Sequence, residues 1–264
     1  MMTTGNPALR TFDQPKRWHE LALEKPQART MTLTGTVVAS ATLFSICVGS
    51  ALISWKQIVE PALAAQSFGS LYPWLIGSLI GGLVLSLIAL FAQKTAPFVG
   101  PLFAAAEGIL LATISAVIVQ RFLGGQDLGL IFQAITITFG IFAGMLIAYG
   151  SGLVKASGIM AKMFMVGAAG LGVYVLAIWI GNGLFGLGIP NLYASASPLG
   201  IGFTALCLAL ASYSLVFDFE LVKQGINQQA PKHLEWVAAV GLLASLVWIY
   251  IEVLRLLAKL RSGD

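Results

Sequence analysis

Seven stretches of this chain are each long and apolar enough to cross a bilayer, at about 32–55, 71–92, 98–120, 128–150, 160–182, 198–222 and 235–258. A spanning helix needs roughly 20 mostly apolar residues. In hydrocarbon every backbone N–H and C=O must find its partner inside the protein, so runs of this kind fold as helices. Composition agrees: 58% of the 264 residues are hydrophobic and 10% are charged, whereas a soluble domain carries about a quarter charged residues. A water-soluble globular enzyme, a disordered chain and a disulfide-stapled secreted module are all excluded. The expected fold class is all-α, a polytopic integral membrane protein with seven transmembrane helices.

Short connections marked by breakers or charges separate the runs: Glu60-Pro61, Lys94 with Pro97, Gly124-Gly125 with Asp127, Lys155 with Lys162, Gly188 to Pro198, and Lys223 to Lys232. None is long enough to divide the chain further. The organisation is therefore a polar N-terminal tail, 1–31, and a seven-helix membrane domain, 32–264. The tail around Trp18 admits two readings, an amphipathic helix on the headgroups or a segment without fixed structure. Ala62 and Ala64 offer the small residues of a signal cleavage site. The length of the polar lead and of the apolar run favours a first span instead.

Alternate connections differ in basic residues. The side of the N-terminus holds Arg10, Lys16, Arg17, Lys25, Arg29, Lys94, Lys155, Lys162, Lys223 and Lys232; the other holds Lys56, Arg121, Arg255, Lys259 and Arg261. Ten against five places the N-terminus in the cytoplasm by the positive-inside rule, with the three cations at the C-terminus as a mild contradiction. The formal charge of +4 follows from this scatter at span ends, so nucleic acid is not an expected partner. Cys47 and Cys207 lie inside apolar runs, where cysteine behaves as a small hydrophobe. Small residues recur four apart at Gly77/Gly81, Gly140/Gly144 and Ala168/Gly172, a pattern that lets helices approach closely in lipid.

Acids at membrane depth are functional hypotheses by default. Glu107 stands about ten residues into the third span, ~15 Å along the helix and close to the bilayer middle. It must be protonated, paired across helices or open to a water-filled cavity; the competing reading is a hydrogen bond between helices. Asp218, in LVFDFELV, lies five residues before Lys223. It reads either as a rim acid screened by that lysine or as a proton sensor among Val216, Phe217 and Phe219. Glu252 and Arg255 are three apart on one helix face and can pair; Glu220 lies near the end of its span. Catalysis is not expected. His19 and His233 fall outside the spans, and no helical metalloprotease pair of histidines occurs. No cofactor is expected either.

The sixth-to-seventh span region, LVFDFELVKQGINQQAPKHLEWVAAVGLLASLVWIYIEVLRLLAKL, resembles the transmembrane Bax-inhibitor-motif family, and most of all its bacterial Bax inhibitor-1-like branch. The NPAL run Asn6 to Leu9, the pair Glu107-Gly108 and PLGIGF at Pro198 to Phe203 extend the resemblance over nearly the whole chain. It implies a seven-helix bundle with the last helix central, and a pH-sensitive calcium leak in which aspartates on the sixth and seventh helices form a proton-sensing pair. In eukaryotes the family suppresses cell death. Asp218 matches the first aspartate. The second aligns near Ser245, where no acid stands, and the second span has no basic residue of the kind some relatives keep.

Two readings follow. In the first, Glu252, seven residues beyond Ser245 and ~10 Å along the same face, replaces the missing acid, with Glu107 between, and an acid trio lines one cavity. The protein is then a calcium leak of a bacterial inner membrane, gated by protonation. Asp218, Glu252 and Glu107 form the ion pathway, supported by Arg255, Glu220 and Ser245. Calcium would be a permeant ion touching Asp218 and Glu252 weakly and transiently, since conduction wants successive weak sites. In the second, the chain is a non-conducting scaffold that binds other membrane proteins, a protease or stress factor, beside its bilayer partner.

Overall fold

The computed structural model describes residues 30–125 and 127–262. The run Asn6 to Leu9, Trp18, His19 and most of the tail lie outside the described residues. Seven helices are long and apolar enough to cross a membrane: α1 Leu33–Ala64, α2 Leu71–Phe91, α3 Ala96–Leu123, α4 Leu128–Gly150, α5 Gly158–Leu184, α6 Pro198–Asn227 and α7 Leu234–Arg261. A single bridge, Thr30 to Pro231, with Met31 N–H donating to Ala230 O at 2.7 Å, ties the start of α1 to the α6–α7 turn.

Helix ends follow local chemistry. Thr32, Asp127, Ser157 and Ser197 each place a side-chain oxygen on a free N–H of the first turn, the standard N-cap arrangement. Gly124 closes α3 in the left-handed region at φ 66°, where a side chain would be strained. Two connections expected from the sequence are helical instead. Glu60-Pro61 does not end α1, because the π turn Trp55–Val59 shifts the hydrogen-bond register just before the proline. Lys223 does not leave the helix either, since α6 runs on to Asn227.

The last helix is central. α7 packs against α6, α3, α1, α4 and α2 and crosses two apolar clusters. One joins it to α1, α2 and α3 through Leu43, Phe103 and Leu243. The other joins it to α3, α4 and α6 through Leu130, Leu215 and Leu254. α5 is the least buried span and is held mainly along α6. The bundle exterior is rich in exposed Leu, Ile, Val and Phe, as a lipid-facing surface must be.

Close helix approach does not fall on the glycine pairs expected for it. Side chains added at Gly77, Gly81, Gly140, Gly144 or Gly172 would meet open space. The tight crossing is at Gly108, where α3 lies directly on the backbone of Cys47 in α1. Gly108→Ala is expected to lose about 1–3 kcal/mol by overpacking, and Gly77→Ala to change little. Thermal unfolding of both variants in one detergent checks this.

Candidate functional site

α7 carries charged side chains at both ends that hold other elements in place. Glu235, 2% exposed, accepts through Oε1 from the backbone N–H of Thr32 at 2.9 Å and from its hydroxyl at 3.0 Å. It thereby adds a second cap to α1. At the far end Lys259 is fully buried. Its Nζ donates to Leu192 O at 2.7 Å, Gly200 O at 2.9 Å and Thr204 Oγ1 at 2.7 Å. Three acceptors match the three donors of an ammonium, so one lysine fastens the α5–α6 connection to the first turns of α6. Both residues escaped the sequence reading, which took Lys259 as a topological charge and Glu235 as part of a motif. Its helical spacing from Glu252 and Arg255 was the available signal: the three fall at i, i+3 and i+7 on one face.

Just above Lys259, the Glu252 carboxylate accepts from Arg255 Nη1 at 2.7 Å and from Trp248 Nε1 at 3.3 Å. Arg255 lies 4.5 Å from the centre of the Tyr193 ring, a cation–π arrangement. Burial pushes the Tyr193 phenol above its ordinary range, and Cys207 and Glu252 push it further, which keeps the ring neutral beneath the guanidinium. At the same end Arg261 pairs with Asp127 at 2.6 Å. All three cations of the C-terminal end therefore have internal partners.

Asp218 stands on α6 nine residues before its last, ~14 Å along the helix. α6 runs on past it to Asn227, so Asp218 is not at the end of its helix, and it forms no ion pair with Lys223 among the described residues. Ser245 of α7 donates to its Oδ2 at 2.6 Å, and Ser214, one turn back on α6, donates to Ser245 at 2.9 Å. Ser214 also lies 2.6 Å from Ala211 O. Asp218 Oδ1 rests against Gly241, where an added Cβ would come within 3.2 Å. Ser245, the position singled out by the resemblance, thus meets Asp218 through its hydroxyl.

Glu107 sits mid-way along α3, 8% exposed. Its Oε1 is packed on Gly82 of α2, and its Oε2 has no hydrogen-bond partner among the described residues. Glu220 accepts from Tyr149 at 2.6 Å and from Gln224 at 2.9 Å. The expected trio on one cavity differs from what is seen. Asp218 faces serines of α6 and α7, Glu252 faces Arg255, and Glu107 backs onto α2, with no hydrogen bond between any two of them among the described residues. The cause is rotation as well as depth: Glu252 is held by partners on its own helix, and Glu107 leaves the far side of α3. Nor does any group of three or more His, Cys, Asp or Glu suited to a metal ion occur among the described residues.

Helix number, a central last helix and buried acids define a multi-pass helical membrane protein with ionisable groups in its core. Residues 6–262 match the family described as Bax inhibitor 1 like, so the chain belongs to that family. No curated protein and no solved structure matches it.

Removing one partner of a buried pair strands the other charge and costs about 3–5 kcal/mol, while replacing both is often close to neutral. Glu252 and Arg255 side chains are 3% and 13% exposed. Arg255→Leu is therefore expected to destabilise strongly, and Arg255→Leu with Glu252→Leu to recover most of the loss. A double-mutant cycle read by thermal unfolding in detergent checks it.

Proposed function

We propose that this Bax inhibitor 1 like membrane protein is a pH-sensitive cation leak, passing calcium, in which the proton state of Asp218 biases a closed–open equilibrium. The observation that carries the reading is the hydroxyl relay from Asp218 through Ser245 to Ser214. With Asp218 ionised, Ser245 donates to the carboxylate and Ser214 donates to Ser245. With Asp218 protonated, the acid donates to Ser245, Ser245 to Ser214, and Ser214 to the Ala211 carbonyl. The same contacts serve both states with their polarity reversed, because a hydroxyl can donate or accept. Neither state leaves a buried polar atom orphaned, which would cost about 1–3 kcal/mol. A charge can thus be gained or lost between α6 and α7 without unmaking the local packing.

Loss of that charge removes an attraction for cations and alters the field between the two helices. Asp218 is the sensor in this reading and Ser245 its partner. Glu107, with one oxygen lacking a hydrogen-bond partner among the described residues, is a further station at a different depth, and Glu252 with Arg255 braces the opposite end. The membrane is a bacterial inner membrane, with the N-terminus cytoplasmic. The internal pairing of Arg255, Lys259 and Arg261 supports that orientation, because cations engaged inside the protein weigh less in the balance between the two sides.

Reconstitution in liposomes with a trapped calcium dye tests the proposal. Wild-type flux is expected to change between mildly acid and mildly alkaline buffer, Asp218→Asn to flatten the pH profile, and Glu252→Gln to keep its shape. An unchanged profile in Asp218→Asn overturns the sensor assignment. Absence of flux from verified folded protein would favour the non-conducting scaffold, for which the weakly held α5 is the surface to probe for membrane protein partners.

A further inference from the structure

Along one side of the bundle α1 and α4 do not pack along their length, and a groove of about 660 Å³ lies between them, floored by α6 and α7. Its deep end is closed by Phe44 and Phe139, edge to face with ring centroids 5.4 Å apart. Its mouth lies between Tyr149 on α4 and Lys223 and Asn227 on the last turns of α6. From Phe139 to Tyr149 is ten residues, ~15 Å of helix, which is half the ~30 Å hydrocarbon core. The groove is therefore one leaflet deep, opens to the bilayer, and is apolar for nearly all of its length.

The polar groups are confined and unevenly occupied. The Tyr149 hydroxyl is committed to Glu220, whose other oxygen is taken by Gln224. Lys223 lies 5.9 Å from the centre of the Tyr149 ring and forms no ion pair among the described residues. On the groove wall, the hydroxyl of Ser40 is buried with no hydrogen-bond partner among the described residues. A helix about 10 Å across would force α1 and α4 apart at the Phe44–Phe139 contact. A single acyl chain would not.

We infer that this groove is a phospholipid site, taking one acyl chain against Phe44, Phe139 and Leu246 and holding an anionic headgroup at Lys223. The volume lies in the range of sites that enclose small ligands, and a lysine at headgroup level favours anionic over zwitterionic lipid by about 1 kcal/mol. The floor includes Phe219 and Leu246, chain neighbours of Asp218 and Ser245, so the lipid would lie against the helices that carry the proposed relay.

Native mass spectrometry of the full chain in detergent, titrated with phosphatidylglycerol or phosphatidylcholine, is the test. One phosphatidylglycerol per chain is expected, held roughly five-fold more tightly than phosphatidylcholine. Lys223→Gln should bring the two lipids close to equal while a lipid is still retained. Ala41→Phe, on the groove wall, should lose both, with Leu246→Trp as a second filling variant should the first not fold. Equal retention of the two lipids by the wild type, a preference untouched by Lys223→Gln, or undiminished binding in a folded filling variant would each overturn the site. Lipid bound only after removal of residues 1–29 would overturn it as well, assigning the groove to the chain's own N-terminal segment. The readout is lipid retention and not flux, so it stands or falls apart from the leak.

Discussion

The fold depends on two charged side chains buried at opposite ends of its central helix. A carboxylate or ammonium taken out of water is costly unless its hydrogen bonds are replaced. Glu235 and Lys259 have replacements that lie on other elements: Thr32 at the start of α1, and Leu192 in the α5–α6 connection with Gly200 and Thr204 at the start of α6. Each contact is thus highly specified in geometry. A one-turn slip of α7 would strand both groups together, so the register of the central helix is fixed at both ends. That register puts Ser245 and Gly241 opposite Asp218.

With α7 fixed, the three intramembrane acids acquire distinct roles through their neighbours. Glu252 has a cation and an indole N–H, the surroundings of a structural brace. Asp218 has hydroxyls, which accommodate either proton state. Glu107 has α2 backbone on one oxygen and, among the described residues, no hydrogen-bond partner on the other. Acids of similar chemistry therefore differ in what a proton would do to them. Packing sets this contrast, because helices of 28 to 30 residues present a different face at every residue and only one face of α3 and of α6 meets α7.

Seven spans, an all-α fold and the pairing of Glu252 with Arg255 were legible in the chain, since hydropathy over 20 residues and an i, i+3 spacing are local properties. The resemblance supplied the central last helix and singled out Ser245, and the structure brings that serine onto Asp218. Helix ends were read less well. Glu60-Pro61 looked like a break but lies inside α1, because the π turn upstream had no sequence signature. The glycine pairs were also misleading: spacing shows that a small face exists, not which face another helix covers.

What the sequence determined by itself is therefore the number of helices, their lipid-facing character and the residue types available at depth, all consequences of moving a backbone from water into hydrocarbon. What only the tertiary structure decided is which of those residues meet. Lys259 became a buried clamp, Glu235 a remote cap, Ser245 a partner of Asp218, and the three acids were dispersed from the expected single cavity. The physical reason is that burial and hydrogen bonding in a helical bundle depend on the rotation and register of each helix about its axis, which long-range packing against α7 sets and local periodicity does not.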